Sequence, residues 1–175
     1  MKTIFLYLLT FLFALSSSAQ IIKAIRPTAT LASAACCGFS AYNSTEIPMG
    51  AIFGKENVIV FDKERFDDAN AFQGVYYKAP SDGVYQFNLT VGLSIQNTAA
   101  NVSQILCTIK TSASQSAIKM INVPANYNKT NVDNFSAIFK LKADEQVSVT
   151  LISLGGETKG TTFGNNSVFS GVKLY

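Results

Sequence analysis

No histidine occurs among the 175 residues, so any chemistry must come from carboxylates, amides, hydroxyls and thiols. That absence removes Ser/His/Asp and Cys/His nucleophile systems, histidine-ligated zinc and the usual near-neutral acid or base. Asp67 and Asp68 are adjacent carboxylates. Neighbouring strand residues point to opposite faces, so the two are poorly placed as a glycosidase acid pair, and a solvated loop is the expectation. Glu64, Asp67, Asp68 and Asn70 offer oxygens that suit Ca²⁺, but without the regular ligand spacing of an EF-hand loop. Gly155-Gly156 followed by Lys159-Gly160 lacks the phosphate-loop spacing and reads as a flexible loop.

The three cysteines leave one thiol over from any intramolecular pairing. Cys36 and Cys37 are adjacent, and Cys107 stands between Ile105 and Ile109 in an alternating apolar run. Cys107 is therefore expected to be a buried small hydrophobe. A bridge from Cys36 or Cys37 to Cys107 would require Cα atoms within about 7 Å. Six Asn-x-Ser/Thr sequons begin at Asn43, Asn88, Asn101, Asn128, Asn134 and Asn165, among thirteen asparagines. They mark either glycan acceptors, in a source that glycosylates its secreted proteins, or a surface rich in Asn, Ser and Thr.

Elements must position these groups, and composition bounds what those elements are. With 48% hydrophobic and 14% charged residues the chain falls among folded globular proteins. Fourteen Lys and Arg against eleven Asp and Glu give +3 without a basic run, so the electrostatic footprint of a nucleic-acid binder is missing. Residues 1–19 read as a secretory signal peptide. Lys2 supplies the positive start, Ile4 to Leu15 the apolar run, and Ser17-Ser18-Ala19 the small residues before cleavage between Ala19 and Gln20. The apolar run is too short for a membrane span, which needs about 20 residues. A secreted, extracellular protein is expected. Residues 20–37 show no sustained period and read as an N-terminal extension or linker.

From Gly38 on, short strands alternate with turn residues. Tyr85, Phe87, Leu89 and Val91 alternate with Gln86, Asn88 and Thr90, the period-2 mark of a strand with one buried face. Further strands are expected at Val58 to Phe61, Gln104 to Ile109, Ala117 to Val123, Phe135 to Leu141, Val147 to Leu154 and Val168 to Tyr175. Pro80-Ser81-Asp82-Gly83, Pro124-Ala125-Asn126 and Lys142-Ala143-Asp144-Glu145 suit turns, with Gly83 able to take a positive φ. Gly171, inside an apolar strand, suggests a bulge or a close approach of another backbone. No helical segment separates the strands, so the pattern predicts an all-β antiparallel sandwich.

Particular residues narrow this choice. Tyr77-Lys78-Ala79-Pro80-Ser81-Asp82-Gly83-Val84-Tyr85-Gln86-Phe87 resembles the aromatic-x-x-Pro-x-x-Gly-Val-Tyr-x-Phe signature of the complement C1q-type globular head. Phe39-Ser40-Ala41, Val60-Phe61-Asp62-Lys63, Leu141 to Val147 and Phe169-Ser170-Gly171-Val172-Lys173-Leu174-Tyr175 are similar to further family motifs in the family's order. The resemblance covers 38–175. It departs at Asp144, where the family usually has Gly, and at Tyr77, where it usually has Phe. No Gly-X-Y repeat precedes the head.

The resemblance implies a C1q/TNF-like jelly-roll sandwich of about ten antiparallel strands. It implies a secreted, non-enzymatic recognition module, a homotrimer with no cofactor, binding protein, glycan or other surface ligands, with Ca²⁺ possible because relatives bind it. It also implies that the C-terminal strand faces the threefold axis, with Gly171 a close-approach point and Tyr175 reaching a neighbouring copy. Tyr85, Phe87 and Phe169 themselves read as core. The alternatives are a monomeric carbohydrate-binding or adhesin-type β-sandwich, using Tyr42, Tyr76, Tyr77 or Tyr127, and a carboxylate-only hydrolase.

Overall fold

Alternating apolar side chains on short, turn-punctuated segments build two antiparallel sheets whose inner faces share one aromatic core. The computed structural model describes residues 37–48, 54–97, 103–154, 162–164 and 167–175, all inside one compact unit, Ser33–Tyr175. Ala19, Gln20 and the rest of the expected signal and linker up to Cys36 lie outside the described residues.

The described residues form twelve strands: β1 (Gly38–Tyr42), β2 (Ile47–Pro48), β3 (Asn57–Val58), β4 (Lys63–Asp67), β5 (Tyr76–Lys78), β6 (Gly83–Asn97), β7 (Ser103–Thr111), β8 (Ser116–Val123), β9 (Tyr127–Leu141), β10 (Gln146–Leu154), β11 (Thr162–Phe163) and β12 (Val168–Lys173). The larger sheet runs β2-β11-β6-β12-β1-β4, with β9 on the other side of β6. The smaller runs β3-β10-β7-β8, with β5 also on β10. Every pairing is antiparallel, and no described residue is helical. The architecture is the expected jelly-roll sandwich; the count of described strands rises to twelve because short pieces such as β2 and β11 pair separately.

β6 organises the larger sheet. Its whole length pairs with β9, from Gly83↔Leu141 to Asn97↔Tyr127. Its other edge is shared by β12, opposite Tyr85 to Thr90, and by β11, opposite Leu93 and Ser94. Between them the ladder is completed by Ser167, whose Oγ accepts from the Gly92 amide at 2.9 Å.

Tyr85, Phe87, Leu89 and Phe169 are fully buried, as are Phe39, Phe61 and Tyr77 to within 1%. Phe39 stacks on Phe72 at 5.0 Å and on Tyr77 at 4.7 Å and meets Phe169 edge-on at 5.1 Å. Each such pair adds about 0.5–1.5 kcal/mol beyond the area it buries. The turns follow their chemistry: Asn126 and Asp144 adopt φ of 53° and 69°. Asp144 thus takes the left-handed place of the family's glycine, and Asp tolerates it better than most residues.

Two glycines act differently from the expectation. Gly83 is not among the positive-φ residues; a β-carbon there would lie 2.6 Å from the Tyr175 carbonyl oxygen, so space excludes it. Gly171 faces the core, where a β-carbon would meet Phe87 Cδ1 at 2.7 Å and Phe39 Cε1 at 2.8 Å. Two phenylalanine rings occupy that space, rather than another backbone or a neighbouring copy. The larger sheet's bulge falls instead between Ser40 and Ala41, opposite β4.

Candidate functional site

Because β6, β12 and β1 send Phe39, Tyr85, Phe87, Leu89 and Phe169 inward, their intervening residues must share the opposite face. The registers place these in rows. Ile138, Gln86, Val172 and Gly38 form one; Ser136, Asn88, Ser170, Ser40 and Phe66 the next; Asn134, Thr90, Val168, Tyr42 and Lys63 a third. None of the outward residues of β6, β12 or β1 carries a charge. Charges enter only from the margins, at Lys140 on β9 and at Lys63 and Arg65 on β4. The margins also hold large exposed apolar side chains, Ile138 at 62% and Val132 at 53% on one side and Phe66 at 51% on the other. Val172 and Leu174 add to the apolar end, and Arg65 lies over the Tyr42 ring at 5.5 Å.

This face also accounts for three of the six sequons. Asn88 and Thr90, Asn128 and Thr130, and Asn134 and Ser136 lie two apart on strands, so each pair falls on the same side. An uncharged polar face written in period 2 spells Asn-x-Ser/Thr by itself. Asn88, Asn128 and Asn134 are exposed, whereas Asn43 is 1% exposed, with Nδ2 unpartnered and Oδ1 accepting from the Thr45 amide. Asn101 and Asn165 lie outside the described residues.

The other candidates separate. Asp67 ends β4, partly buried, with one oxygen accepting from the Phe72 amide at 2.8 Å and the other buried without a partner. Glu64, Asp68 and Asn70 are exposed around it, Asn70 at φ 51°. Among the described residues no group of three or more His, Cys, Asp or Glu converges to hold a metal. Three of the four tyrosines do not share a platform: Tyr77 is buried, and Tyr42 and Tyr76 are half-buried on different sheets. Tyr77 Oη reaches the Cys37 carbonyl at 3.4 Å, and burial pushes its hydroxyl above the usual tyrosine range. Pro80 precedes β6 on the surface, and Tyr175 is 76% exposed with its carbonyl accepting from the Val84 amide. Among the described residues no helix is long and apolar enough to cross a membrane.

A sequence-family comparison matches the C1q domain over residues 38–174. The chain belongs to the C1q domain family. Among solved structures, this C1q domain is similar to the globular domain of the zebrafish complement 1qA protein, with TM-score 0.57 and 16% identity over 79% of this chain and 97% of that one. It is similar also to murine APRIL, with TM-score 0.51 and 9% identity over 79% of this chain and 99% of that one. At such identities these likenesses establish the shared jelly-roll fold. No curated protein sequence gives a match. The sequence reading missed the uncharged face, which emerges only when the register sets β6, β12 and β1 side by side.

Proposed function

We propose that this C1q domain is a secreted, non-enzymatic recognition module that assembles as a homotrimer through the outward face of its larger sheet. Its smaller sheet and loops then remain free for protein, glycan or other surface ligands. The observation that carries the reading is the uncharged band of β6, β12 and β1 on a chain with fourteen basic and eleven acidic residues. Charge is depleted where protein surfaces meet.

The two margins of that band differ, Ile138 and Val132 on β9 against Phe66 on β4. Unlike margins favour a head-to-tail contact that closes into a ring over a self-complementary pair. C1q and TNF-like domains commonly form trimers and are typically extracellular, which fits the signal-like residues 1–19.

Light scattering on a chain starting at Gln20 tests the assembly: three protomer masses are expected at micromolar concentration, and Ile138→Lys should yield a folded monomer. A monomer mass for the unsubstituted chain would overturn the trimer. Probing protein and glycan arrays with the trimer then identifies the ligand class.

A further inference from the structure

Asn88 occupies the middle of the uncharged face, in register with Ser136 on one side and Ser170 on the other. Its Oδ1 accepts from Gln86 Nε2 at 3.2 Å, and the residue is exposed in the single protomer. Asn134 is likewise exposed, one row away and in register with Thr90. Both begin sequons whose hydroxyl residue, Thr90 or Ser136, stands on the same face.

From this geometry we propose that Asn88 and Asn134 are exclusive-use positions: each carries either an N-linked glycan or the contact with a neighbouring copy, so glycosylation there holds the chain as a folded monomer. The inference rests on the assembly reading above. Sheets packed face to face stand about 10 Å apart, leaving no room for a branched glycan of several sugars. A glycan pointing away from a lone protomer meets only solvent, so the fold itself tolerates it. In the transfer, the side-chain amide nitrogen bonds to C1 of the sugar on a lipid-pyrophosphate oligosaccharide donor. The bond from C1 to the phosphate oxygen breaks, the lipid pyrophosphate leaves, and the amide gives one proton to a base of the transferase.

The chain is to be produced both in bacteria that lack N-glycosylation and in a eukaryotic secretory host. Glycopeptide mapping is then combined with light scattering and thermal unfolding. Bare chains should have the trimer mass, and chains glycosylated at Asn88 or Asn134 one third of it, with cooperative unfolding retained. The triple variant Thr90→Ala/Thr130→Ala/Ser136→Ala removes both sequons, together with the Asn128 sequon on the same face, and keeps the asparagines, so in the secretory host it should return to the trimer. A trimer bearing a glycan at either position overturns the inference, as do an unfolded glycosylated chain, bare Asn88 and Asn134 from the secretory host, or a triple variant that stays monomeric there. Monomeric bare chains from bacteria overturn the assembly reading itself, and this inference with it.

Discussion

Gly171 lies directly beneath Phe87 in the sheet register, with no room between them for a methyl group: a β-carbon on Gly171 would sit 2.7 Å from Phe87 Cδ1. Phe87 is fully buried and stacks against Phe169 at 5.9 Å, so its ring has little freedom to yield. Gly171→Ala is expected to destabilise the protomer by about 1–3 kcal/mol, the usual range for overpacking a core. Urea unfolding checks it. An unchanged midpoint would mean that the ring moves aside.

Tyr85 and Gln86 test the two faces of β6. Tyr85 is fully buried, donates its hydroxyl to the Ser81 carbonyl at 2.7 Å and lies under Lys173 Nζ at 6.0 Å. Tyr85→Ala should lose about 3–5 kcal/mol. Tyr85→Phe, which removes only the hydrogen bond, should lose about 0.5–1.5 kcal/mol. Gln86→Ala, on the opposite face, should leave monomer stability nearly unchanged. Equal midpoints for Tyr85→Ala and Gln86→Ala would contradict the strand register.

Glu56 supplies a pH-dependent contribution. One carboxylate oxygen accepts from both Lys110 Nζ and Thr150 Oγ1 at 2.7 Å, and these bonds, Lys110's foremost, hold its pKa below the ordinary 4.5. A carboxyl whose folded pKa is depressed stabilises the fold above its unfolded pKa, and that stabilisation is lost as pH falls through the folded value. The pair is substantially exposed, so the contribution is expected at about 0.2–1 kcal/mol. Glu56→Gln should therefore unfold at lower urea than the parent at pH 7, with the gap narrowing toward pH 3. A gap of constant size would remove Glu56 from the pH response.

Cys107 is fully buried, and burial, reinforced by Asp133, pushes its thiol up to about 12. The thiolate is the reactive form, so at pH 8 this cysteine should resist a disulfide-exchange reagent while the protein is folded and react once it is unfolded. Cys37 is half-buried at the start of the described chain, and both it and Cys107 are free thiols. Mass mapping of the labelled peptide distinguishes the two. Native-state labelling of Cys107 would show that β7 opens far more readily than its buried register implies.

How much could be read from the sequence depended on whether a strand had one dry face. β6 was legible because Tyr85, Phe87, Leu89 and Val91 alternate with polar residues, and its core role follows from that period alone. The first half of β9 was not, since its inward positions Asn131 and Asp133 are as polar as the outward Asn128 and Asn134. They lie toward the open side of the sandwich, where Asp133 pairs with Lys119 at 3.2 Å rather than entering the core. β4 hid for another reason: Lys63-Glu64-Arg65-Phe66 is exposed at a sheet edge and looks like a charged loop. The uncharged face could not be seen in any one segment, because it belongs to no strand alone.

β12 is inserted between β1 and β6, the strand that joins the two halves of the larger sheet. Gly38 is held on one side by the Asp68 amide, which donates to its carbonyl at 3.0 Å, but on the other it pairs with Val172, almost the full span of the described chain away. Until 168–173 arrive, β1 and β6 both have raw edges and the Phe39 and Phe87 rings have no lid. Pairings this distant in sequence give slow folding, typically milliseconds to seconds for β sandwiches. The larger sheet therefore cannot close until residues 168–173 are available to fill the gap between β1 and β6. The same delay leaves the unpaired edges of β1 and β6 open to pairing with another chain while folding is incomplete.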